Sequence, residues 1–147
     1  MKFPKFSIPF ISFILLINLV FSCKKTEETK QEPGRVLQTE NGVDYGSLTL
    51  EADDFASGIK KSDAVVIDLG FPADFEQGHI EGAININFFD QGFQEKVLLL
   101  DKTKKYYLYS KSDPSAKRTA AFMKQNGFND VYILNGGIDA WKEYEKK

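Results

Sequence analysis

The stretch "VVIDLGFPADFEQGHIEGAININ", Val65 to Asn87, packs three elements into one short run. With Ala64 before it, "AVVIDL" (64–69) is a continuous apolar run, the pattern of a strand buried on both faces. "PADFEQG" reads as a short helix, with Pro72 in its first turn and Gly78 as its stop. "AININF" (83–88) reads as a second strand.

The same alternation extends in both directions. Upstream, "SLTL" (47–50) is a short strand candidate, and "EADDFASGIKK" is a helix with Phe55 and Ile59 at i, i+4 on one face. Downstream, 91–100 reads as helical and "KYYLYS" (105–110) as a strand. Residues 114–126 form a helix that stops at Gly127. "DVYIL" is a strand, and "GGIDAWKEYEK" closes the chain with Ile138, Trp141 and Tyr144 spaced for one helix face. Strands alternating with helices predict a single α/β domain over 47–147 with a mostly parallel sheet.

Val65–Asn87 resembles the first signature of the rhodanese family: an Asp near the end of a buried strand, a short helix, then Gly-His-Ile-x-Gly-Ala. "GFNDVYILNGGIDAW" (Gly127 to Trp141) is similar to that family's closing stretch, with its Gly-Gly-x-x-x-Trp spacing. The resemblance covers about Ser47 to Glu145. It implies a rhodanese-like fold, a central five-stranded parallel sheet flanked by helices. It also implies a six-residue active loop between the fourth strand and the next helix, here Ser110-Lys111-Ser112-Asp113-Pro114-Ser115. In active members the first loop residue is a cysteine that carries sulfane sulfur as a persulfide. Here it is Ser110. An arginine often closes the loop, where this chain has Ser115, and another commonly follows the Asp68 strand, where it has Gly70.

Serine does not replace that cysteine chemically. A thiol starts near a pKa of about 8.5 and is lowered further at a helix N-terminus. A hydroxyl starts far higher, needs an adjacent base and cannot form a persulfide. The one histidine, His79, falls in the Gly-His-Ile-x-Gly-Ala turn, where the resemblance implies that it ties the turn together. Asp68 is expected to hold neighbouring backbone groups rather than to do acid–base work. Asp113 before Pro114 is a helix start, with Asp as N-cap and Pro in the first helical position. That arrangement would satisfy the N–H groups an anion would otherwise take. Against it, Lys111, Lys117 and Arg118 read either as a basic rim that attracts an anion or as a solvated helix face. Phe88, Phe89 and Phe93 read as core or as an aromatic patch for a partner. Trp141 and the tyrosines 106, 107 and 109 read as core. No His/Cys/Asp/Glu cluster has metal-ligand spacing, and no cofactor is expected.

The N-terminus has a different character. Lys2 and Lys5 precede an apolar run from Ile8 to Phe21, a charged region and a short hydrophobic region as in an export signal. The run is shorter than the roughly 20 residues that span a bilayer. Leu19–Cys23 resembles the lipobox of bacterial lipoproteins, which implies removal of residues 1–22 and lipid on Cys23, the only cysteine. One cysteine cannot make an internal disulfide. Residues 23–46 are polar, with Pro33-Gly34 and Asn41-Gly42 as breakers, and read as a flexible linker. Without Lys2 and Lys5, 17 basic side chains stand against 21 acidic ones, a formal net charge of −4 that argues against a nucleic-acid partner.

Together these features predict a protein held by lipid at a bacterial cell membrane or outer membrane, facing the periplasm or exterior. Its domain is expected to lack sulfurtransferase activity and to bind a protein partner or a small anion. The alternatives are a sulfurtransferase-related enzyme working by a non-cysteine route and a small-anion sensor at the Ser110–Ser115 loop.

Overall fold

Period-two alternation along the central strands puts helices on both faces of the sheet. In a computed structural model, which describes residues 39–40, 42–61, 63–111 and 113–147, five strands form one sheet. They are β3 (Thr49–Leu50), β4 (Ala64–Asp68), β5 (Ile84–Asn85), β6 (Lys105–Tyr109) and β7 (Asp130–Leu134). Their spatial order is β3-β7-β6-β4-β5, and every pairing is parallel. On β6, Tyr106 and Leu108 face one core with Ile67 of β4 and Val131 of β7. Tyr107 and Tyr109 face the other with Val66 and Leu134. A sheet covered on both faces explains why these strands read as unbroken apolar runs.

The first core is covered by α1 (Tyr45–Leu48), α4 (Phe93–Leu98) and α5 (Asp113–Gln125), through residues such as Leu48, Val97 and Met123. The second is covered by α2 (Ala52–Ile59) and α6 (Gly137–Tyr144), through Phe55 and Trp141, whose rings meet edge to face at 6.1 Å. Ile138, Trp141 and Tyr144 share that face, as their spacing predicted. The helix α3 (Pro72–Gln77) buries none of its residues and stops at Gly78, also as predicted.

Three elements differ from the sequence expectation. Ser47 and Leu48 are helical rather than extended: the Asp44 carboxylate accepts from the Gly46 N–H at 3.0 Å, and Tyr45 and Leu48, at i, i+3, turn into the core. Only Thr49–Leu50 pairs with β7. The ordered fold therefore starts before Ser47. Tyr45, which the composition put in the linker 23–46, is only 4% exposed, and a short antiparallel pair joins β1 (Thr39–Glu40) to β2 (Val43–Asp44). The "AININF" strand is cut to Ile84–Asn85, because the chain turns at Asn87, whose Oδ1 accepts from the Phe89 N–H at 3.0 Å.

The expected export signal 1–22, the expected lipid site Cys23, most of the expected linker 23–46 and Ser112 lie outside the described residues. Among the described residues, no helix is long and apolar enough to cross a membrane.

Candidate functional site

β4 and β6 end together at the carboxyl edge of the sheet, with Asp68 opposite Tyr109 in the register. After Tyr109 the chain turns through Ser110 and enters α5. Ser110 is buried, at 5% exposure, and its carbonyl accepts the Ile138 N–H at 3.2 Å. That contact brings the start of α6 against the loop. It demands glycine: Gly136 and Gly137 both have positive φ, 69° and 60°, and a Cβ on Gly137 would lie 2.0 Å from the Ser110 oxygen. Ser115 and Thr119 are buried behind the loop, where the Thr119 hydroxyl donates to the Ser115 carbonyl at 2.8 Å. The helix α5 starts at Asp113. Asp113 is thus its first residue and Pro114 its second, one place later than the expected cap. Either position suits proline, because the first-turn N–H groups have no intrahelical partner. The Asp113 side chain lies outside the described residues.

The turn after β4 is closed from within. The Asp68 Oδ1 accepts the Gly70 N–H at 2.7 Å, and Asp68 is 6% exposed. Asp68 therefore holds the backbone of this turn. The Asn85 Nδ2 donates to the carbonyls of Asp68 and Gly70, at 3.2 and 2.9 Å, and clasps the same turn from β5. A Cβ at position 70 would stand 2.9 Å from the Asp68 Oδ1, so the carboxylate occupies space that a side chain there would need.

Tyr109 joins the two turns through its carbonyl, which accepts the Leu69 N–H at 3.0 Å. Its hydroxyl accepts the Ile80 N–H at 3.1 Å and so fixes the turn that follows α3. Burial pushes the phenol well above the ordinary tyrosine range. The Asp68 carboxylate adds to that, and the Ile80 N–H opposes it. His79 sits in this turn and stacks on Phe75, with ring centroids 3.8 Å apart, while its Nδ1 pairs with the Phe75 carbonyl at 2.8 Å. It is exposed and does not line the pocket at this edge of the sheet.

A pocket of about 130 Å³ opens over this edge. Asp68 and Tyr109 are its buried residues, and Gly70 and Gly78 contribute backbone. Lys111 reaches it from the loop, Asp74 and Gln77 from α3, and Asp139 and Lys142 from α6. Of the basic residues named from sequence, Lys111 is here. Arg118 is not: it lines a separate hollow with Phe88, Asp90 and Phe122. Lys142, Asp139 and Asp74 were missed. Only the Gly-Gly step before α6 hinted that this helix approaches the loop.

The aromatic candidates divide. Phe93 is core, and Phe88 packs partly against it. Phe89 is 64% exposed and stacks on Phe71, itself 51% exposed, with centroids 5.0 Å apart and planes at 10°. Among the described residues no cluster of His, Cys, Asp and Glu has the geometry to hold a metal ion.

The family model of the rhodanese-like domain matches residues 51–144, more than half of the chain. The chain is 34% identical over 93 residues to the uncharacterized protein YqhL of Bacillus subtilis, covering 63% of this chain and 71% of that one. It is 31% identical over 87 residues to the thiosulfate sulfurtransferase GlpE of Coxiella burnetii, covering 58% and 78%. Against the tRNA uridine(34) hydroxylase of Wigglesworthia glossinidia brevipalpis it is 30% identical over 104 residues. That match takes 67% of this chain but 32% of the hydroxylase, so the chain spans about a third of that relative. Among solved structures, a rhodanese-related protein from Thermoplasma volcanium superposes with a TM-score of 0.57 at 29% identity, over 65% of this chain and 91% of that one. With the parallel sheet, the strand-to-helix loop at Ser110 and the family match in agreement, this chain belongs to the rhodanese-like domain family.

Proposed function

We propose that the protein is a lipid-anchored, extracytoplasmic rhodanese-like module that binds a partner and does not transfer sulfur. The observation that carries this reading is the place of the only cysteine. Cys23 lies outside the family match, so residues 51–144 contain no thiol. Transfer of sulfane sulfur through a persulfide needs a thiolate at the loop, and a buried serine hydroxyl does not supply one. The chain's one histidine pairs with the Phe75 carbonyl, which supports a structural role for it. The activities named for the Coxiella and Wigglesworthia relatives are those of similar proteins. In this chain the nucleophile has been lost and the pocket retained. The anchor rests on the basic N-terminus, the apolar run 8–21 and Cys23.

The test is thiosulfate sulfurtransfer by the wild type and by Ser110→Cys, with intact mass read for a ~32 Da sulfur adduct. The wild type is expected to match a no-enzyme control. Turnover by the wild type would overturn the reading. Gain of the adduct by Ser110→Cys would show that the loop still cradles sulfur and only the nucleophile is missing. For the anchor, metabolic labelling with a fatty-acid analogue should mark the wild type and leave Cys23→Ala unmarked.

A further inference from the structure

We propose that the carboxyl-edge pocket takes a small zwitterion, a molecule with one ammonium and one carboxylate, and not an inorganic oxyanion. The proposal deepens the binding reading above and rests on it. Its basis is the distribution of charge around the cavity.

The deepest charged group is a carboxylate, that of Asp68, and it is held in place by the Gly70 N–H. The bare Cα of residue 70 leaves that carboxylate its position, since a Cβ would stand 2.9 Å from it. An oxyanion entering the pocket would meet this buried negative charge in a poorly solvated place, where repulsion is least screened. Asp74 adds a second carboxylate from α3 and Asp139 a third from α6. A simple cation answers these carboxylates but leaves the ammonium groups of Lys111 and Lys142, which also line the pocket, without a counter-charge. These charges are not spent on one another: the three ion pairs among the described residues join Lys96 to Asp90, Lys105 to Asp63 and Lys146 to Glu143. A ligand with both charges satisfies both sets. Its ammonium sits against Asp68 and Asp74, and its carboxylate meets Lys111 and Lys142. Charge-assisted hydrogen bonds of this kind are the strong ones. The volume of about 130 Å³ limits the occupant to a small molecule.

The test uses the ¹⁵N-labelled full chain in dodecyl maltoside micelles, titrated separately with glycine, β-alanine, sodium sulfate and ethylammonium chloride. The amide signals of Gly70 and Gly78, both in the pocket wall, report occupancy. At least one zwitterion is expected to move them saturably, at about one tenth or less of the concentration that either singly charged probe needs. Asp74→Asn and Lys142→Met change exposed side chains that lie outside both cores, and each should weaken zwitterion binding about tenfold. Sulfate binding as tightly as the zwitterions overturns the proposal. So do signals that no zwitterion moves, or a Lys142→Met chain that binds unchanged. Sulfurtransfer by the wild type would end the non-catalytic reading and leave these titrations as they are. An empty titration would end the zwitterion assignment alone.

Discussion

The two turns that flank the pocket are built in opposite ways. After β4, the chain closes on itself: the Asp68 carboxylate reaches two residues ahead to the Gly70 N–H, and Asn85 holds the two carbonyls of the same turn. After β6, the Ser110 carbonyl is held by a segment far along the chain, the N–H of Ile138 at the start of α6. The first turn is a local device with one clasp from the neighbouring strand. The second depends on a long-range docking that only a glycine pair permits. A site with one self-made wall and one borrowed wall loses the borrowed wall first when packing is disturbed.

The largest expected effect therefore falls on the borrowed wall. Gly137→Ala forces a Cβ toward the Ser110 oxygen at a positive φ, and should cost about 3 kcal/mol or more in urea unfolding. A cost below about 1 kcal/mol would mean that α6 is free to back away from the loop. On the self-made wall, Asn85→Ala removes two hydrogen bonds to carbonyls and should cost about 2 kcal/mol. If both variants cost the same, the contrast between the turns fails.

Tyr109 ties the two turns, and its ionisation sharpens the comparison. Burial raises the phenols of Tyr106, Tyr107 and Tyr109 above their ordinary value of 10.0. A group whose folded pKa is raised contributes stability that is complete below its unfolded pKa and is lost as pH rises above it. The fold should thus weaken above about pH 10, by at most about 1.4 kcal/mol per pH unit for each such phenol. Tyr109→Phe should flatten this alkaline slope, measured as urea midpoints across that range. An unchanged slope would show that Tyr109 ionises as readily in the folded chain as in the unfolded one.

The smallest effect belongs to Gly70→Ala. Position 70 has no positive φ, so the added methyl conflicts only with the end of the Asp68 side chain. Rotation of that carboxylate, with loss of its bond to the Gly70 N–H, should cost about 1 kcal/mol. The Gly70 amide signal should shift while that of Ile138 stays, which would show that the two walls are independent.

Much of this was legible in the chain itself. The apolar run at 64–69 announced a strand covered on both faces, and 105–110 and 130–134 read as strands from their β-branched and aromatic residues. Pro72 and Gly78 bounded α3 because their backbone constraints act locally. The Asp68 clasp was legible for the same reason, since a carboxylate reaching two residues ahead needs nothing else from the fold. The absence of cysteine from residues 51–144 was written in the sequence.

What the tertiary structure decided is everything that depends on which segments meet. Tyr45 looked like linker because its neighbours are polar, and only packing against the sheet buries it. Lys142 and Asp139 look like any solvated helix face until the Gly136–Gly137 step sets α6 beside the Ser110 loop. Lys111 and Arg118, which read either as a basic rim or as a solvated helix face, line two different hollows. Local chemistry acts over a turn or two of chain and can be read in order. The charge balance of the pocket comes from three stretches distant in sequence, around 68–78, 109–111 and 138–142, and only the closed fold sets them side by side.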